Sequence, residues 1–172
     1  MNKTIAGVSI AALLTAATLP LLAATASANP SDKPCDPSGL VVSVTKDPTS
    51  AAGQQAYIVH YAAAGPHTNC SLQGAPTAVT FTKGSGHSEA DGSNIQVVPD
   101  DPYSVPVPVN VQPGKPAESR ILMASQAPVT FQPSVVNLNL PVAGGGYSVT
   151  VAWPAGLPLR GDHVELTNVS AA

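Results

Sequence analysis

Short runs of alternating apolar and polar residues recur along the chain from residue 40 onwards. Leu40, Val42 and Val44 fall on one face of the first run, and this alternation predicts a half-buried β-strand. The run from Gln55 to Ala62 has apolar side chains on both faces, which predicts a strand at the centre of a sheet. Further strands are predicted at residues 77–82, 95–98, 105–111, 118–125, 136–140, 148–153 and 164–166.

Residues typical of turns separate these runs, and Asp100-Asp101-Pro102 is one example. After residue 28 the sequence has no clear helical periodicity, and the chain's 18 prolines disfavour helices further. A series of about nine short strands with frequent turns is typical of an all-β fold. We therefore predict an antiparallel β-sandwich of two sheets, with a β-barrel as the alternative.

Two of the alternating runs carry additional information. Val105, Val107, Val109 and Val111 alternate with residues that include Pro106 and Pro108. Because proline has no backbone N–H group, we predict that this run is an edge strand, blunted against the addition of another strand. In the other run, Trp153 follows Val149 and Val151. It is predicted to pack in the core, and an exposed aromatic platform for a glycan is the alternative.

The N-terminus has the three parts of a secretory signal peptide. Lys3 supplies a positive charge, residues 5–24 are apolar or small without any charge, and Ala26-Ser27-Ala28 matches a small-x-small cleavage site. A retained membrane anchor is the alternative, but no basic stop-transfer flank follows the apolar run. We predict the following boundaries: a signal peptide at 1–28, cleavage between Ala28 and Asn29, a flexible leader at 29–34 and a single β-sandwich domain at 35–170.

Charge and cysteine usage indicate the compartment and exclude some partners. The chain has ten acidic residues against seven lysines and arginines, and it has no basic patch. Nucleic acid and anionic lipid are therefore not expected as partners, because phosphate binding needs clustered cations. The two cysteines of an exported chain, Cys35 and Cys70, predict one disulfide, with two free thiols as the alternative. We expect a secreted monomer, extracellular or associated with the cell wall, with no membrane span in the mature chain.

Four blocks of residues carry a resemblance to a known family. They are Cys35-Asp36-Pro37-Ser38-Gly39-Leu40, Ala52-Gly53-Gln54-Gln55-Ala56-Tyr57, Asn69-Cys70-Ser71-Leu72-Gln73-Gly74-Ala75-Pro76 and Val109-Asn110-Val111-Gln112-Pro113-Gly114-Lys115-Pro116-Ala117. With these blocks, residues 35–160 resemble an exported actinobacterial family known as domain of unknown function 4232. The resemblance implies an immunoglobulin-like sandwich of about seven to nine strands outside the membrane. It implies no activity, and it assigns no functional residues beyond the cysteine pair.

The histidines are the first candidates for metal chemistry. His60 lies within a predicted strand, His67 and His87 lie in predicted loops, and His163 opens the last strand. A zinc or copper site needs converging ligands, which often stand at short spacings in the sequence. No such spacing occurs here, so no metal and no cofactor are predicted.

Two polar stretches are candidates for hydrolytic or calcium chemistry. Gly84-Ser85-Gly86-His87 brings serine and histidine together near Glu89 and Asp91. Neighbouring residues in a glycine-rich loop rarely hold the fixed geometry of a catalytic triad, so we interpret this stretch as a polar loop. Asp100 and Asp101 precede a proline and are predicted to stabilise a turn. The alternatives are half of a catalytic carboxylate pair and a calcium site that includes Asp91.

Taken together, these patterns favour a secreted, non-catalytic domain. Its expected partner is an extracellular or cell-envelope protein or glycan, because a sandwich presents loops at its ends and no catalytic constellation is visible. Two alternatives remain open. One is an enzyme or metal-binding protein whose site is assembled from distant residues, and the other is a structural protein of the envelope.

Overall fold

The computed structural model describes residues 33–84 and 95–172. The predicted signal peptide, its cleavage site at Ala28–Asn29 and residues 29–32 of the predicted leader lie outside the described residues. Four candidates of the glycine-rich stretch, Ser85, His87, Glu89 and Asp91, lie outside them as well. Across the described ranges, no helix is both long enough and apolar enough to cross a bilayer.

The described residues form thirteen β-strands and one short 3-10 turn, so the prediction of an all-β protein is confirmed. The turn spans Pro37–Gly39. The strands are β1 (Leu40–Lys46), β2 (Gln54–Ala63), β3 (Cys70–Leu72), β4 (Thr77–Thr82), β5 (Gln96–Pro99), β6 (Val109–Val111), β7 (Ala117–Ala124), β8 (Val129–Phe131), β9 (Val135–Asn139), β10 (Ser148–Ala152), β11 (Leu159–Arg160), β12 (His163–Leu166) and β13 (Ser170–Ala171).

The larger sheet has the strand order β1-β2-β7-β12-β5, and β13 also pairs with β7. The predicted central strand is confirmed, because β2 is antiparallel to β1 on one side and to β7 on the other. The pair of β12 and β5 is parallel, whereas the patterns predicted antiparallel neighbours. The connection explains the difference: β5 follows β4, which belongs to another sheet, so no hairpin sets its direction.

The second sheet has the order β10-β9-β4, and two smaller sheets pair β11 with β8 and β3 with β6. The two main sheets meet through aromatic side chains. The ring of Trp153, just after β10, lies 4.3 Å from Tyr57 of β2 and 5.5 Å from Phe81 of β4, measured between centroids. All three rings are buried in one hydrophobic cluster. The predicted sandwich and the predicted core position of Trp153 are therefore confirmed.

The predicted disulfide is also confirmed, because Cys35 and Cys70 are bonded to each other. Backbone hydrogen bonds support the same junction. The N–H of Ser71 donates to the Lys33 carbonyl at 2.9 Å, and the N–H of Cys35 donates to the Ser71 carbonyl at 3.0 Å. The end of the predicted leader thus runs parallel to β3 next to the disulfide.

The predicted edge strand over 105–111 is wrong in its extent. Only Val109–Val111 forms a strand, β6, and residues 104–108 have neither strand nor helix structure. The proline residues supply the reason, because Pro106 and Pro108 have no N–H group to continue a ladder. The sequence also did not predict β3, β8, β11 and β13, which are too short to show an alternating pattern.

Candidate functional site

The described histidines lie on separate elements. The Nε2 atom of His60, on β2, is 2.8 Å from the hydroxyl of Thr45 on β1, and the Nδ1 atom of His163 is 2.8 Å from the carboxylate of Asp162. His67 is exposed and lines an open cleft of about 360 Å³ beside the disulfide. Within residues 33–84 and 95–172, no group of three or more His, Cys, Asp or Glu side chains is arranged to hold a metal ion.

Asp101 serves a turn, as the sequence predicted. Its carboxylate accepts the N–H of Tyr103 at 2.9 Å, and its carbonyl accepts the N–H of Ser104 at 3.3 Å. This arrangement is the local hydrogen bonding by which aspartate stabilises a turn. Tyr103 is thereby held at the tip of the turn.

Asp100 lines a polar cleft of about 390 Å³ with Asp47 and Arg120. The guanidinium of Arg120 contacts two carboxylates, with Nε 3.2 Å from Asp47 and Nη2 2.7 Å from Glu118. No pattern in the sequence indicated this cluster, because Asp47 and Arg120 stand 73 positions apart. Strand pairing brings these two residues together, because β2 lies between β1, which ends just before Asp47, and β7, which carries Arg120 opposite Ile58.

Asp47 is the most buried carboxylate of this cleft. The N–H and the hydroxyl of Thr49 each donate to Asp47 at 2.7 Å. These hydrogen bonds, helped by the charge of Arg120, hold the pKa of the Asp47 carboxyl below its usual value. Asp47 is therefore ionised at neutral pH, where it accepts hydrogen bonds and cannot act as a proton donor.

The stretch Asp101–Pro108, which we name the Tyr103 segment, contains the three most exposed large apolar side chains of the described residues. Tyr103 is 93% exposed, Val105 is 84% exposed and Val107 is 69% exposed. Isolated exposed apolar side chains are ordinary on protein surfaces, whereas a continuous group of large ones marks a contact surface. The sequence predicted an edge strand over residues 105–111 and did not indicate this exposure.

Two side-chain hydrogen bonds attach the Tyr103 segment to the sandwich. The amide of Gln73 donates to the Pro106 carbonyl at 3.0 Å, and the amide of Asn168 donates to the Ser104 hydroxyl at 2.6 Å. Gln73 follows β3, and Asn168 lies between β12 and β13. The segment is thus held at two points while its large apolar side chains point into solvent.

Backbone directions indicate which edge the prolines occupy. In β3, the N–H and the carbonyl of Ser71 form hydrogen bonds with Lys33 and Cys35. Because backbone groups alternate in direction along a strand, the N–H and carbonyl groups of Cys70 and Leu72 point to the opposite side, towards β6. Their partners in β6 are Val111 and Val109, so the residue between them directs its backbone groups to the free edge. The Tyr103 segment breaks this alternation at Pro106, because the Pro106 carbonyl accepts the amide of Gln73, the residue after β3, and therefore faces the sandwich instead of the free edge.

An apolar cleft of about 440 Å³ lies where the chain leads into the segment. Its walls are residues 75–79, just before and within β4, and Val97, Val98 and Pro99 of β5, with Leu166 also lining it. Ala78 adopts a φ of 48°, a conformation that a side chain other than glycine rarely takes. It lies where the pairing of β4 with β9 shifts register between Thr77 and Thr80, so a bulge shapes this wall.

Comparisons of the chain with family models, with curated proteins and with solved structures gave no match. The resemblance to domain of unknown function 4232 is therefore neither confirmed nor contradicted, and it stays a prediction. Any statement on function has to come from the arrangement of the chain's own residues.

Proposed function

We propose that the protein is secreted and acts as a non-catalytic domain that binds another protein of the cell envelope or the extracellular space. The observation that carries this proposal is the exposure of Tyr103, Val105 and Val107 within one short stretch. Leaving these side chains in water forgoes burial worth about 1.5–3 kcal/mol for each large apolar side chain. A partner that covers them recovers that free energy, so the segment is suited to association.

Export is supported by two independent features. The Cys35–Cys70 disulfide fits an oxidising compartment, because thiols in the cytosol are kept reduced. The sequence of residues 1–28 has the anatomy of a cleavable signal peptide. Cleavage after Ala28 would release a chain that begins at Asn29.

The non-catalytic role is supported by the hydrogen-bond partners of the histidine and aspartate side chains. His60 and His163 are engaged by Thr45 and Asp162 on different strands or turns. Asp47 is held ionised by Thr49 and Arg120. These side chains have structural hydrogen-bond partners, whereas a catalytic constellation brings a nucleophile, a base and an orienting group to one point.

Expression of the full chain in export-competent cells tests the proposal. We expect the exported product to begin at Asn29 and to be lighter by two hydrogens than its reduced form, as measured by intact mass spectrometry. Immobilised wild-type protein should retain a component of an envelope extract. The triple variant Tyr103→Ser/Val105→Ser/Val107→Ser should retain much less of it.

The control variant is Val41→Ser/Tyr147→Ser, which removes exposed apolar side chains from other parts of the surface. It should retain the component as well as the wild type does. The proposal is wrong if no component is retained, or if the triple variant retains as much as the control.

A further inference from the structure

We propose that the partner is a protein with an aromatic-lined groove and a basic rim, which encloses the Tyr103 segment as an extended, proline-containing peptide. This inference rests on the proposed function and specifies the chemistry of its partner. Four properties of the segment support it: its backbone conformation, its size, its hydrogen-bonding groups and its charge.

The backbone of the segment is restricted before any partner binds. The segment contains Pro102, Pro106 and Pro108, and each proline fixes its own φ near −65°. The residues before them, among them Val105 and Val107, are confined to extended conformations by the proline ring. Gln73 and Asn168 add two hydrogen bonds that hold the segment in place. A partner therefore loses little free energy in ordering it, which is the advantage of proline-rich recognition sequences.

The area of the apolar surface argues against a flat interface. One fully exposed aromatic side chain supplies roughly 200 Å², so Tyr103 with two valines supplies on the order of 400 Å². A stable protein–protein interface needs about 800 Å² on each partner. A second copy of the chain that met this surface face to face would fall short. A groove that receives the solvent-facing side of the segment also covers its exposed prolines and so adds them to the buried area.

The hydrogen-bonding groups argue against addition of a strand. Pro106 and Pro108 have carbonyl groups but no N–H donors, and the Pro106 carbonyl already accepts the amide of Gln73. A partner strand would leave its own carbonyls unpaired there. Grooves that bind proline-rich peptides instead stack aromatic rings on the prolines and donate side-chain hydrogen bonds to the carbonyls.

The charge of the segment specifies the rim of the groove. Asp100 and Asp101 are exposed at its N-terminal end. In the adjoining cleft, the single guanidinium of Arg120 faces the carboxylates of Asp47 and Glu118. This end of the segment is therefore acidic, and a complementary partner presents lysine or arginine beside its aromatic side chains.

Site-specific photo-crosslinking tests the inference on the full chain. p-Benzoylphenylalanine replaces Tyr103 in one protein and Tyr147 in a matched control, and both are irradiated in an envelope extract. We expect one protein adduct with the probe at position 103 and none with the probe at 147. A synthetic peptide of residues 100–108 in excess should lower the yield about tenfold, as mass action requires for a competitor well above its Kd. A scrambled peptide should not.

The crosslinked peptide of the partner should lie in a groove that contains aromatic and basic side chains.

Two variants then separate the contribution of charge from that of the prolines, in binding titrations with that purified partner. Asp100→Asn/Asp101→Asn removes both charges but keeps side-chain oxygens that can serve the turn, so the apparent Kd should rise and lose most of its dependence on salt. Pro106→Ala/Pro108→Ala should raise the Kd about tenfold, since it restores backbone freedom and removes both rings.

Each contrary outcome rules out a stated part of the inference. An adduct with a second copy of the chain, with a glycan or with lipid excludes a groove-bearing protein. A retained protein that the 100–108 peptide does not displace overturns the mode of binding but leaves the proposed function in place. If no component of the extract is retained or crosslinked, both the inference and the proposed function are wrong.

Discussion

Two runs of the chain share the same alternating pattern of valines, but one forms a paired strand and the other is exposed to solvent. Val149 and Val151 belong to β10, which pairs residue by residue with β9 and leads into the buried Trp153. Val105 and Val107 stand in an equivalent alternation, but they are exposed and unpaired by any strand. The residues that alternate with the valines differ: they are serine and threonine in β10, but Pro106 and Pro108 in the exposed run, where each has a fixed φ and no N–H group. Alternation thus predicts an extended chain, whereas prolines and the length of the partner strand decide whether that chain joins a sheet.

The neighbouring strands differ as well. β9 offers β10 a full-length partner, Val135–Asn139. β3 offers β6 a partner that ends at Leu72, and the next residue, Gln73, donates its N–H to the Pro141 carbonyl at 2.6 Å. Burial of the valine side chains decreases in the same direction: Val111 is buried, Val109 is half-buried and Val107 is exposed. The chain therefore leaves the body of the sandwich where its partner strand stops.

The largest expected effect comes from the buried run. Trp153→Ala removes a side chain that packs on Tyr57 and Phe81 and donates to the Leu157 carbonyl at 2.7 Å. We expect a loss of about 3–5 kcal/mol in the free energy of unfolding. Guanidinium titration followed by far-UV circular dichroism measures it. Tyr103→Ala is the matched change in the exposed run and should stay within about 0.5 kcal/mol of wild type. Equal losses would contradict the contrast between the two runs.

The disulfide is expected to have the next largest effect. Cys35→Ser/Cys70→Ser releases β3, the partner of β6, from the N-terminal segment. The bond closes a loop with a sequence separation of 35, and its loss should destabilise the protein by about 2–4 kcal/mol. Urea titration of both proteins gives the difference. A loss below about 1 kcal/mol would mean that hydrogen bonds to Lys33 and Cys35 suffice to hold β3.

Asp47 allows a smaller and pH-dependent test. Because its pKa is lowered in the folded protein, its contribution to stability is present above the unfolded pKa of about 3.9 and is lost as pH falls through the folded value. Asp47→Asn should cost about 1–2 kcal/mol at pH 7, at the low end because Arg120 is partly exposed. Thermal unfolding between pH 2 and pH 7 should show the gap to wild type narrowing below about pH 4.

Asp101→Asn is the matched control for Asp47→Asn, since Asp101 also accepts the N–H of the residue two positions on. It lies in the exposed run and should change the free energy of unfolding by less than about 0.5 kcal/mol. A gap between Asp47→Asn and wild type that stays constant down to pH 2 would show that the charge of Asp47 is not what stabilises the fold.

The smallest effect on stability is expected from replacing the prolines of the exposed run. Pro106→Thr/Pro108→Thr restores two N–H donors and converts the exposed run into a sequence like that of β10. Stability should change by less than about 1 kcal/mol, but the new edge should recruit other copies of the chain. Light scattering against concentration detects this association. Thr80→Val, a change on a strand elsewhere, is the control, and association of both variants to the same extent would refute the role of the prolines.

Sequence patterns predicted the parts of the fold that rest on local periodicity. The alternation in β1, β2, β7 and β9 named both the strands and their buried faces, and Trp153 was placed in the core. Local periodicity could not predict contacts between residues far apart in the sequence. Examples are the parallel pair of β5 and β12 and the contact of Arg120 with Asp47. The exposure of Val105 and Val107 was missed for a related reason: a period of two indicates which residues share a face, and only the neighbouring strands decide whether that face is covered.

The parallel pair also sets the order in which the fold can be completed. β12 lies between β7 and β5 in the larger sheet, yet it comes from the last residues of the chain. While the chain is being synthesised, β5 has no strand to join until residues 163–166 have emerged. Pairings so far apart in sequence are slow to form, since a long loop must close before any contact is gained. A nascent chain that has emerged only as far as residue 162 therefore leaves β5 without its partner strand, and the sheet closes once β12 follows.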